Sequence, residues 1–252
     1  MRFRLVIFSA LIAMKLSGRA LAHQPILSDG TAVDAQHAIQ LDDVQISRVV
    51  YHEVTSDAPQ VWLTFEISQP QELKLQLGVP KIPGPESYRP AMAIFGPGLS
   101  SVAAGFSVPE GLGGIVYDSR DVTEPTVFDE PFSGTSSWIM VETSVSLPAA
   151  GRYYVVGYSP RNEAGKLWIA LGEKEQFDAG ALGSLAADIA AVRDFHDVLA
   201  AGALPCFLFP FALAGFVGML CVHRHHAMRT AGPAPRENSP SSEGNTGASN
   251  EP

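Results

Sequence analysis

The chain has 252 residues, a formal net charge of -9, 19 prolines, 23 glycines and two cysteines, Cys206 and Cys221. The acidic balance argues against nucleic acid as a partner, because a phosphate backbone is met by a basic stripe. Both cysteines fall in the most apolar stretch of the chain, so no disulfide framework exists and the fold must rest on a packed core.

Residues 1–22, MRFRLVIFSALIAMKLSGRALA, begin with Arg2 and Arg4, continue through ten uncharged residues from Leu5 to Met14, and end on Ala20-Leu21-Ala22. A positive start, a short apolar run and small residues at the two positions a signal peptidase reads predict a cleaved export signal, with an uncleaved anchor as the alternative. Lys15 and Arg19 leave the apolar run too short to span a bilayer. Cleavage after Ala22 makes His23 the first residue of the exported chain. Its amino and ring nitrogens then form a chelate suited to Cu(II), which prefers tetragonal nitrogen ligation. His37 and His52 are the candidate metal partners, with His196 nearer the membrane. This resembles the histidine brace of copper monooxygenases and the N-terminal histidine of periplasmic copper carriers, and it implies metal handling or an oxidase. The competing reading is a solvated first residue.

Residues 23–180 read as one exported domain built of strands. VWLTFEI (61–67) sets Val61, Leu63, Phe65 and Ile67 against Trp62, Thr64 and Glu66; ELKLQLGV (72–79) alternates in the same way. SWIMVETSVSL (137–147), RYYVVGY (152–158) and KLWIALG (166–172) continue the pattern, with Gly- and Pro-rich turns between them. Period-two alternation with one polar face predicts half-buried antiparallel strands, and many short strands predict a sandwich or jelly roll. The segment LPAAGRYYVVGYSP followed by GKLWIALGE, together with AMAIFGPGL (91–99), resembles the closing hairpin and central strand of secreted jelly-roll modules such as prepeptidase C-terminal and carbohydrate-binding-like domains. That resemblance implies a fold and brings no catalytic residue. The layout around EPFSGTSSW also resembles bacterial single-pass membrane proteins, which implies no activity.

Within the domain, FDEPFSGTSSW (128–138) carries Asp129 and Glu130 before Pro131. These acids and the following hydroxyls are candidates for calcium or a hydroxyl-rich ligand. Turn chemistry explains the same residues, with Phe132 and Trp138 as core anchors. Trp62, Tyr153, Tyr154, Tyr158 and Trp168 form a sugar-stacking platform if they share an exposed face, and core if they alternate inward. The sequence contains no nucleophile elbow, and no catalytic residue is assigned.

Residues 181–199 change period. Leu185, Ile189, Val192 and Leu199 mark one helical face, with Phe195 beside it, and predict a juxtamembrane helix that packs on the sandwich, with a second copy as the alternative, and runs on into a membrane span. Within it, Arg193 and Asp197 read as a surface pair and His196 as interfacial. Residues 198–222 hold 25 residues without a charge. That is roughly 37 Å of helix, enough to cross a membrane, and 200–222 is read as the span. Arg224 and Arg229 follow, which orients the C-terminus to the cytoplasm. CVHRHH (221–226) lacks the second ligand pair that a zinc site needs. Residues 223–252 are too poor in apolar residues to fold and read as a cytoplasmic tail. The expectation is therefore an inner-membrane, single-pass protein with a periplasmic or extracellular sandwich. It would act as a binding or assembly module for an unknown protein or carbohydrate ligand, with Cu(II) binding through His23, His37 and His52 as the alternative.

Overall fold

A computed structural model describes residues 24–84, 86–131, 133–176 and 181–198. The export signal, His23, Phe132, the 200–222 span and the tail lie outside the described residues. Among the described residues no helix is long and apolar enough to cross a membrane.

Among the described residues eleven strands form two sheets. The larger sheet has the order β1 (Gln24–Leu27), β3 (Arg48–Val54), β11 (Gly165–Leu171), β5 (Gln71–Pro80), β9 (Thr135–Leu147), β8 (Thr126–Glu130). The smaller has the order β2 (Ile39–Gln40), β4 (Gln60–Ile67), β10 (Gly151–Tyr158), β6 (Ala91–Gly96), β7 (Gly113–Asp118). Only β6–β7 and β8–β9 connect neighbours within a sheet; every other connection crosses between sheets. This is the all-β sandwich that the alternation predicts. The pairing is not antiparallel throughout, because β1 runs parallel to β3 and β2 parallel to β4. Each of these pairs is joined by a crossover through the other sheet, and crossovers permit parallel pairing where hairpins do not.

The pleat sorts residues as expected. Val61, Leu63, Phe65 and Ile67 of β4 face the interior, where they meet Leu73, Leu75 and Leu77 of β5 and Leu167 and Ile169 of β11. Tyr153 is also internal, stacked on Phe65 at 5.8 Å, with its hydroxyl 2.8 Å from the Ala149 carbonyl and 3.0 Å from that of Pro97. Its ring lies where a Cβ on residue 96 would stand, 2.0 Å away, so position 96 must be glycine.

The outer faces are not bare. On the smaller sheet Trp62, Phe95 and Tyr154 face outward and are nevertheless buried, because Phe106, Val108 and Leu112 of the 97–112 loop pack over them. Phe106 meets Trp62 at 5.6 Å and Tyr158 at 5.0 Å, both edge-on. Of the five aromatic residues only Trp62, Tyr154 and Tyr158 share this face, since Tyr153 points inward and Trp168 belongs to the other sheet; four of the five (Trp62, Tyr153, Tyr154 and Trp168) are buried, so they form no exposed platform. On the larger sheet the outer face carries a helix and a groove.

Candidate functional site: the outer face of the six-stranded sheet

Helix α1 (Ala181–Phe195) docks on this face through its last turn. Val192, Arg193 and His196 are buried, whereas Leu185 is exposed, so the apolar stripe read from the sequence is used only at its C-terminal end. The helix also stops four residues short of the expected 199. The Val198 N–H donates to the Arg193 carbonyl at 2.9 Å and the Asp197 N–H to that of Asp194 at 3.0 Å, with Asp197 at φ 55. That is a Schellman stop with aspartate in the left-handed position.

The dock is built by the β8–β9 hairpin and the central strands. The turn closes through the Gly134 N–H on the Glu130 carbonyl at 2.8 Å, with Gly134 at φ 64. It presents the Ser133 carbonyl to Arg193 Nη1 at 2.7 Å. Arg193 is thus buried and no surface residue, and Asp197 meets Lys166 Nζ at 2.8 Å. Phe195 packs edge-on against Tyr51 of β3 at 5.1 Å, with Lys166 Nζ 5.6 Å above its ring. His196 is buried against the sandwich rather than interfacial.

A hydrogen-bond relay runs through the dock. The Trp168 indole can only donate, and it does so to Ser137 Oγ at 3.1 Å. The Ser137 hydroxyl then donates to His196 Nε2 at 3.1 Å, and His196 Nδ1–H donates to the Val192 carbonyl at 2.7 Å. The chain fixes the neutral Nδ1–H tautomer. Burial holds this imidazole below the usual histidine range, and Lys166 pushes the same way. Ser137 and His196 make the bond of a nucleophile and its base. Yet Ser137 Oγ already accepts from Trp168, both residues are buried, and Nδ1 faces a carbonyl where a triad has a carboxylate. The pair is an internal relay. Trp168 lies flat because position 78 is glycine: a Cβ there would stand 2.1 Å from the indole.

Beside the dock lies an open groove of about 720 Å³. Phe128, Ile139 and Ala170 form its apolar floor, and Glu142, Glu173 and Glu175 its rim. Lys74 pairs with Glu173, so the rim holds three carboxylates and one ammonium.

The residues singled out for metal occupy other places. His37 is exposed on a turn, where its Nδ1–H donates to Asp34 Oδ1 at 2.8 Å. Hydrogen bonds from His37 hold the Asp34 carboxyl below its usual range. His52 is buried; its Nε2–H donates to the Ala58 carbonyl at 3.0 Å, and Nδ1 accepts from Ser28 Oγ at 3.2 Å. It offers a metal no ring nitrogen unless one of those bonds breaks. Gln24, which follows His23, pairs with Arg48, four residues along β3 from His52 and so roughly 13 Å away by strand rise. Among the described residues no group of three or more His, Cys, Asp or Glu side chains is poised for a metal ion. In the 128–138 segment, Asp129 accepts from Ser136 at 2.6 Å and Ser133 bonds Thr135 at 2.7 Å, while Trp138 packs on the core.

Fold and face together define an all-β sandwich with a helix latched to one sheet. No family model matches the chain, and no curated protein sequence matches it. Among solved structures, the pre-peptidase C-terminal domain of collagenase from Bacillus anthracis aligns at 9% identity and a TM-score of 0.30, over 53% of this chain and 93% of that one. At that score the likeness bears no weight beyond the sandwich already described.

Proposed function

We propose that the protein is a membrane-tethered extracytoplasmic binding or assembly module. The outer face of the six-stranded sheet receives the partner. The observation that supports this is the groove: an apolar floor with a charged rim, open to solvent, beside the element that leads toward the apolar stretch 200–222. Recognition sites combine apolar burial with a few placed polar groups in this way.

The test is site-specific photo-crosslinking with the full chain in membranes of the source organism. A crosslinker at Gln76, in the groove, gives a discrete adduct; one at Arg152, exposed on the opposite sheet, gives none. Equal labelling at both positions, or none at Gln76, removes the proposal.

A further inference from the structure

We infer that the partner enters as an extended basic protein segment, added as a strand to the free edge of β9 beside the groove. This rests on the binding role proposed above.

β9 is thirteen residues long, but β8 pairs only with its first part, ending at Thr126 opposite Ile139. Pro125 precedes Thr126, and a proline has no N–H to continue the ladder. From Val141 to Leu147, β9 therefore has β5 on one side and no strand on the other among the described residues. No backbone bond to a loop takes up that edge among them either. Seven residues offer roughly 23 Å of ladder, longer than the commonest strand. Natural edges are guarded by lysine, proline, bulges or a covering element. VETSVSL contains no lysine and no proline, its one charge is Glu142, and the bulge on this strand pair lies outside it at Leu77/Gly78.

Charge selects the occupant. Glu142 projects from this edge on the groove side, with Glu173 and Glu175 across the groove. A second copy pairing edge to edge would join two chains that each carry a formal charge of -9, so self-association is disfavoured. A segment alternating basic and apolar residues satisfies the backbone through the ladder and, by its period of two, turns its cations to the groove face beside Glu142 and its apolar side chains to the inner face beside Val141, Val145 and Leu147. Strand addition takes affinity from the main chain and specificity from alternate side chains.

The test uses the full chain in non-ionic detergent with a fluorescein-labelled heptapeptide alternating lysine and valine, and its glutamate–valine counterpart. The lysine peptide is expected to bind and the glutamate peptide not. Binding should slow amide exchange across Val141–Leu147. Glu142→Lys combined with Glu175→Lys, both at exposed positions, should weaken binding at least ten-fold. No binding, equal binding of both peptides, or binding without protection of β9 overturns the inference. So does protection that rises with protein concentration and no peptide, which assigns the edge to a second copy. A Gln76 adduct in membranes alongside a failed peptide would remove strand addition and leave the binding role; loss of both removes both.

Discussion

At the scale of single residues, His52 and His196 are histidines that the fold keeps neutral. Each is buried, with both ring nitrogens hydrogen-bonded, and burial depresses the affinity of each for a second proton. The folded pKa of each therefore lies below the unfolded value of about 6.5. Above that pH neither state takes up a proton and stability is flat. Below it the unfolded chain binds protons that the folded chain resists, so stability falls by up to about 1.4 kcal/mol per pH unit for each histidine. Urea melts of the full chain in non-ionic detergent should show this decline between pH 6.5 and 5. His52→Ala should lose about 2–3 kcal/mol at neutral pH, because Ser28 Oγ and the Ala58 carbonyl lose their partner. His37→Ala, at an exposed turn, should change stability by less than about 0.5 kcal/mol. Equal effects at the two positions would contradict the assignment. Both histidines were legible as metal-capable atoms and not as buried or exposed, since only the pairing of β1 with β3 decides which one Ser28 reaches.

At the scale of elements, the latch of α1 depends on shape as much as on bonds. Gly78→Ala places a methyl group where the Trp168 indole lies and should push the ring out of the relay, costing about 1–3 kcal/mol. A red shift of tryptophan emission would report it. Ser137→Ala keeps the packing but strips Trp168 Nε1 and His196 Nε2 of their shared partner. Amide exchange at residues 188–198 should rise while that of β4 and β10 stays unchanged; uniform loosening would place Ser137 in the general fold instead of the latch. The alternation of β4 and β5 could be read directly because polar residues such as Glu66, Glu72 and Lys74 mark the outer face, whereas β10 and β11 read as strands by their aromatic and branched residues although both of their faces are buried. β3 could not. Its outward Val49 and Tyr51 are apolar too, since they sit under the helix and groove face, and a strand covered on both sides loses its alternation. The end of α1 escaped for a related reason: aspartate at 197 does the work usually signalled by glycine.

At the scale of the whole molecule, the two sheets differ in what they do with their outer faces. The smaller sheet closes its aromatic face with its own 97–112 loop, whereas the larger leaves a groove open beside the helix. The groove was not legible in the sequence, because Phe128, Ile139 and Ala170 come from three strands and converge only through the order β11-β5-β9-β8. The acids of its rim are likewise scattered along the chain, from Glu142 to Glu175. The most direct measurement is carbodiimide footprinting of carboxylates on the full chain, in native membranes and after detergent extraction. An occupied groove face predicts that Glu142, Glu173 and Glu175 are protected in membranes and become reactive on extraction, while Glu66 on the opposite sheet reacts alike in both. Unchanged reactivity at all four would show the face to be empty in its native setting and would contradict the account.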